Sequence, residues 1–96
     1  MHAVIRKYTA SAEVLEEARP KFAQLEQTMR GTPGFVAYYL VQTDDGLATI
    51  TITEDEAGTQ ESMGRAANWV QQNLQNPASL GAPQVTRGQA LISATR

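Results

Sequence analysis

Phe35-Val36-Ala37-Tyr38-Tyr39-Leu40-Val41 is a strand-like run that is apolar or aromatic on both of its sides. Successive strand side chains point to opposite faces of a sheet. The alternation therefore sets Phe35, Ala37, Tyr39 and Val41 on one face, and Val36, Tyr38 and Leu40 on the other. A chain of 96 residues has enough helix to cover one face only. The second face then needs another cover, and a second copy of the same chain is the simplest one.

Working outward, the strand runs from Phe35 to Gln42 and meets Thr43-Asp44-Asp45-Gly46, whose Asp-Gly pair is a tight-hairpin signal. Leu47 to Thr53 then alternates strictly, with Ala48, Ile50 and Ile52 on one side and Thr49, Thr51 and Thr53 on the other. The pattern predicts an antiparallel pair. As the more apolar set, Ile50 and Ile52 are expected to face the helices. Upstream, Ala3 to Tyr8 reads as a first strand, and Ser11 as the N-cap of a helix with Glu13 and Glu16 near its positive end. Leu15, Ala18, Phe22, Leu25 and Met29 form one apolar stripe at spacings of three and four. Pro20 interrupts that stripe and predicts a kink, because it removes the hydrogen bond to the Glu16 carbonyl. Gly31 is the expected stop, and Pro33-Gly34 the turn into the next strand.

Downstream, Thr53-Glu54-Asp55-Glu56 has capping-box spacing. A second helix is expected to reach about Leu74, with Met63, Ala66, Ala67, Val70 and Leu74 as its apolar stripe. Gly58 and Gly64 weaken it locally. Asn76 to Pro83 reads as a loop and Val85 to Ala94 as a last strand. The order strand, helix, strand, strand, helix, strand predicts one α+β domain over residues 1–96. Its plan is a ferredoxin-like βαββαβ sandwich with a four-stranded antiparallel sheet and both helices on one face.

Composition narrows the function classes. Hydrophobic residues make up 42% and charged residues 19%, with a net charge of −2. That is an ordinary globular balance without a basic surface, so neither nucleic acid nor a membrane is an expected partner. There is no cysteine, which removes disulfides, thiolate catalysis and Cys-based metal sites. The start, Met1-His2-Ala3-Val4-Ile5-Arg6-Lys7, lacks a signal-peptide core, and a cytoplasmic location is the default expectation.

The segment Gly34-Phe35-Val36 through Thr53-Glu54-Asp55-Glu56-Ala57-Gly58, followed by Glu61-Ser62 and Ala66-Ala67-Asn68-Trp69-Val70, resembles the antibiotic biosynthesis monooxygenase-like group of the dimeric α+β barrel superfamily. The resemblance implies a homodimer with sheets face to face. It also implies a small-molecule pocket between helices and sheet, and, in the oxygenase members, chemistry on aromatic or quinol substrates without a cofactor. A tryptophan of the second helix lines that pocket in the oxygenases, and Trp69 matches it. At about 100° per residue, Trp69 falls on the edge of the expected stripe, where it would wall a cavity or seal the helix–sheet seam. Aromatic-substrate members can carry an asparagine one turn earlier, where this chain has Arg65; Asn68 points about 100° away. Heme-degrading members use a histidine beyond the second helix and an asparagine on the first strand. Here those places hold Gln75-Asn76-Pro77-Ala78-Ser79 and Arg6, so heme degradation is not expected.

Trp69, Arg65, Tyr38, Tyr39, Tyr8 and Arg6 are thus the candidate pocket residues, with a small aromatic ligand, no metal and no assigned catalytic residue. Tyr38 and Tyr39 face opposite sides, so at most one lines the pocket. Arg6 and Arg87 fall within strands, where an arginine on a half-buried face would orient an oxyanion or phenolate; solvation at a sheet edge is the alternative. His2, the only histidine, lacks a sequence partner for catalysis or ligation. Asp44-Asp45 reads as turn chemistry and Glu54-Asp55-Glu56 as helix capping. No phosphate-loop glycine pattern is present. The rival to an oxygenase is a non-catalytic ligand-binding or interaction module on the same scaffold.

Overall fold

β1 (His2–Thr9) and β3 (Gly46–Thr53) lie side by side at the centre of a four-stranded antiparallel sheet, flanked by β2 (Phe35–Thr43) next to β3 and β4 (Gln84–Gln89) next to β1. The computed structural model describes residues 1–96. Three helices supply the second layer: α1 (Ala12–Ala18), α2 (Phe22–Arg30) and α3 (Glu56–Asn73). The fold is the ferredoxin-like α+β sandwich, with the expected order of elements.

Strand register decides what lies under the helices. Val4 pairs with Thr51, Arg6 with Thr49 and Tyr8 with Leu47, and directly opposed residues of an antiparallel pair share a face. Val4, Arg6, Leu47, Thr49, Thr51 and Thr53 are all buried. Ile5 pairs with Ile50 and Ala3 with Ile52 on the other side. The expectation that Ile50 and Ile52 face the helices is therefore reversed: the threonines do. Threonine is accepted there because its branched methyl packs like valine, and two of the three hydroxyls find partners while that of Thr51 finds none. Thr53 Oγ1 donates to the Asp55 carbonyl at 2.6 Å, and Thr49 Oγ1 accepts from Arg6 Nε at 3.1 Å.

The alternation within β2 also breaks once. A bulge at Val36 sets Phe35 opposite Thr53 and Ala37 opposite Ile52. A bulge adds one residue to one strand, so Phe35 shares the face of Tyr38 and Leu40 instead of that of Ala37 and Tyr39.

α1 begins as expected, with Ser11 Oγ accepting from the Val14 N–H at 3.3 Å. Pro20 does more than kink the helix. It sits in a 3₁₀ turn, Arg19–Lys21, that separates α1 from α2 while keeping Leu15, Ala18, Leu25 and Met29 on one buried side. α2 stops at Gly31. α3 is capped by Asp55, whose carboxylate accepts from the Gly58 N–H at 3.0 Å. The Thr53–Glu56 capping box does not form, because the helix begins at Glu56 with Asp55, not Thr53, as its N-cap.

The buried side of α3 is Thr59, Ser62, Ala66 and Trp69; Met63 and Val70 are half-buried and Ala67 is exposed. The stripe read from apolar residues alone is rotated from the real one. Thr59 and Ser62 return their hydroxyls to carbonyls three residues back, Glu56 and Thr59, at 3.0 and 2.6 Å, so they pack as small apolar groups. β4 ends at Gln89, shorter than the expected Val85–Ala94. Leu91 and Ile92 beyond it are 89% and 88% exposed.

Candidate functional site: a buried donor cluster under the helices

The sheet face beneath α3 gathers Arg6 and Tyr8 from β1, Tyr38 from β2 and Thr49 from β3 around a cavity of about 50 Å³. Phe22, Leu25, Ala66, Trp69 and Leu80 are among the side chains that close it from the helices and the turn after α3. Arg6 is only 2% exposed and Trp69 6%. Arg6 Nε is satisfied by Thr49, but its NH2 group and the Trp69 indole N–H are buried without a protein partner. Buried polar groups are nearly always paired, so two orphan donors on one cavity mark it out chemically.

Electrostatics sharpen this picture. Burial pushes the Tyr38 hydroxyl up to about 12 from an ordinary 10.0; the Arg6 guanidinium opposes that rise and neighbouring Tyr8 adds to it. Tyr38 is thus a neutral hydroxyl at physiological pH. No aspartate or glutamate lines the cavity, and the ion pairs Arg19–Glu16, Arg30–Glu26 and Arg65–Glu61 do not involve Arg6. The site is rich in donors and holds one cation with no carboxylate beside it.

A hollow of about 260 Å³ lies between α3 and the 3₁₀ turn Pro77–Leu80, and Arg6, Tyr8, Val70 and Leu80 line both it and the cavity. Lys21 Nζ donates to the Asn73 carbonyl and the Glu17 carboxylate accepts from the Gln75 N–H at 2.7 Å. These two contacts tie the C-terminal end of α3 to the α1 side of the layer. A larger groove of about 670 Å³ runs along the free edge of β2 beside α1 and α2. It is open and shares Phe22, Leu25, Tyr38 and Leu40 with the cavity. Arg6 and Trp69, which carry the unsatisfied donors, line the smaller space, and that makes it the candidate site.

Residues 1–55 match the family model described as antibiotic biosynthesis monooxygenase. The chain belongs to the antibiotic biosynthesis monooxygenase family. Among curated proteins, no sequence matches it. Solved structures of the same fold include a protein of unknown function, NE2512, from Nitrosomonas europaea, with TM-score 0.77, 17% identity and coverage of 99% of this chain and 93% of that one. Rv0793 from Mycobacterium tuberculosis superposes with TM-score 0.72 at 20% identity over 98% of both chains. SnoaB, a cofactor-independent oxygenase from Streptomyces nogalater, gives TM-score 0.65 at 14% identity over 99% and 97%. At these identities the likeness is one of fold.

Four of the six candidate residues of this family member meet at the cavity: Trp69, Tyr38, Tyr8 and Arg6. Trp69 stands in the buried centre of α3, not on its edge. Arg6 lies on a central strand beneath the helices, so edge solvation does not describe it; Arg87 is exposed on β4. Two candidates lie elsewhere. Tyr39 is on the opposite sheet face and 55% exposed. Arg65 lies 3.6 Å from Glu61 and beside Gly31 at the end of α2, away from the cavity lining. His2 Nδ1 is 2.6 Å from Thr59 Oγ1. The contact ties β1 to α3.

Thr49 and Leu80 are site residues the sequence reading did not single out. Thr49 could have been found by pairing it with Arg6 across the hairpin-to-β1 register; Leu80 carried no signal in its loop. No helix of the protein is long and apolar enough to cross a membrane.

Proposed function

We propose that this protein is a cofactor-independent monooxygenase that takes a small aromatic or quinol substrate between its helices and its sheet. The observation that carries the reading is the orphan indole N–H of Trp69 on a cavity with Arg6 and Tyr38, in a chain of a monooxygenase family. A buried neutral hydroxyl and an indole N–H are groups that orient a phenolic oxygen and stabilise charge building on it. One atom of dioxygen would enter a ring carbon of the quinol, and the other would leave as water with that carbon's one hydrogen and one hydroxyl hydrogen of the substrate, so that the quinol becomes a hydroxyquinone. SnoaB, described as a cofactor-independent oxygenase, shares the fold and supports the reading.

The test is oxygen uptake and product formation with 1,4-dihydroxynaphthalene, wild type against Trp69→Phe. Turnover above buffer that falls in the variant is expected. Rates equal to buffer in both proteins remove the proposal and leave the second reading, a non-catalytic ligand-binding module. Arg65 favours that second reading, because it replaces the asparagine that aromatic-substrate oxygenases can carry and points away from the cavity.

The working unit we propose is a homodimer. Ile5, Tyr39 and Val41 are exposed on the sheet face that no helix covers, with Ile50 and Ile52 half-buried among them. A contiguous apolar face of this kind is an interaction surface in soluble proteins, and a second copy matches it face for face.

A further inference from the structure

We infer that the ligand of this pocket carries an anionic oxygen, a carboxylate or a phenolate, which docks on the Arg6 guanidinium and the Trp69 indole N–H. The inference rests on the pocket reading above and narrows its ligand class. Its basis is an imbalance of charge. Arg6 is 2% exposed, and a guanidinium is always protonated and donates only. Burying a charge without a counter-charge is strongly unfavourable, yet neither cavity wall offers a carboxylate. Thr49 takes Nε, a neutral partner that leaves the positive charge uncompensated.

The other polar groups point to the same ligand. Trp69 Nε1–H is a donor only and unpaired. Thr49 Oγ1 already accepts from Arg6. A ligand with only N–H groups would find no charged partner here, whereas an anionic oxygen would find a cation and a second donor together.

Volumes set the pose. A cavity of about 50 Å³ has room for one or two waters at roughly 30 Å³ each, while a benzene ring takes a cavity of roughly 150 Å³. The proposed pose sets the ring in the outer hollow of about 260 Å³, against Met63, Val70 and Leu80, with its charged end at Arg6, which lines both spaces.

Two measurements test this. The first is calorimetric titration of the wild-type protein with 1-naphthoate and with its neutral isostere 1-naphthamide, and with 4-nitrophenol below and above its own ionisation. Naphthoate is expected to bind about tenfold or more tightly than naphthamide, as a charge-assisted hydrogen bond implies. A preference for naphthoate identifies a carboxylate; tightening of 4-nitrophenol on ionisation, without such a preference, identifies a phenolate. Equal affinity for charged and neutral forms, or no binding of either anion, overturns the inference.

The second measurement needs no ligand. Arg6→Met replaces an uncompensated buried charge with an apolar side chain of similar length, so the free protein's Tm is expected to rise while the anion preference disappears. A lower Tm would make Arg6 a structural residue and overturn the inference. If 1,4-dihydroxynaphthalene quenches the fluorescence of Trp69, the only tryptophan, while the anions show no preference, the pocket stands and the anion subsite alone falls.

Discussion

Tyr38 and Tyr39 are neighbours in the chain and opposites in environment: Tyr38 lies beneath the helices beside Arg6, while Tyr39 is 55% exposed on the uncovered side of the sheet. The period of two along β2 separates them, and each lies on a different face of the sheet. Tyr38 faces the cavity. Tyr39 faces the proposed partner.

The burial of Tyr38 makes an alkaline prediction. Its hydroxyl ionises at about 12 in the folded protein against an ordinary 10.0. Between those values the unfolded chain releases the proton and the folded chain keeps it. Stability from this group is therefore full below pH 10 and is lost as pH rises toward 12, in total about 2–3 kcal/mol. Urea midpoints measured across that window should fall more steeply in wild type than in Tyr38→Phe.

Two neighbouring threonines of β3 should respond to the same substitution with opposite signs. Thr49→Val removes the acceptor of Arg6 Nε and leaves another buried N–H unpaired, a loss of about 1–3 kcal/mol. Thr51 is fully buried and its hydroxyl has no partner. Thr51→Val removes an unsatisfied polar atom at constant shape and should gain up to about 1 kcal/mol. Denaturant titration of the pair checks both.

Gly58 and Gly64 share α3 but not its surroundings. A Cβ on Gly58 would stand 2.6 Å from the Pro33 carbonyl oxygen, whereas one on Gly64 would meet nothing within 4 Å. Gly64→Ala should stabilise by about 0.5–1 kcal/mol through helix propensity and a less flexible unfolded chain. Gly58→Ala should destabilise by about 1–3 kcal/mol, as overpacking against backbone does. Thermal melts of the two variants should move in opposite directions.

The uncovered sheet face predicts association. Light scattering should give about twice the 10.4 kDa chain mass for wild type and the single mass for Ile50→Glu, which places a charge among Ile5 and Ile52. A monomeric wild type would refute the homodimer.

The order of elements, the Ser11 cap, the β2–β3 hairpin and the two-sided character of β2 were all legible in the chain, because each rests on local periodicity or turn chemistry. The side of the sheet that meets the helices was not. Ranking Ile50 and Ile52 above Thr49 and Thr51 by hydropathy points the wrong way, since the choice is made by the pairing of β3 with Val4 and Arg6 of β1. The same ranking hid the true stripe of α3: Thr59 and Ser62 satisfy their hydroxyls on their own helix and then behave as small core residues, which draws Trp69 inward. Leu91 and Ile92 extended the last strand on paper, although neither is buried. Within the site, Trp69 was legible only through the family resemblance, and strand alternation separated Tyr38 from Tyr39 without saying which of them meets the helices. The departure of Arg65 could not be read, because it depends on Glu61 and on the end of α2.

The Asp44-Asp45 connection pairs Thr43 with Gly46 and so sets the phase of β3 for its whole length. A slip of one position would turn every β3 side chain over, bringing isoleucines under α3 and leaving hydroxyls to the water. Such a molecule would have an oilier interior, no acceptor for Arg6 and little reason to seek a twin. Two residues at a bend thereby act together with the β1 pairing on both the proposed ligand chamber and the proposed quaternary state.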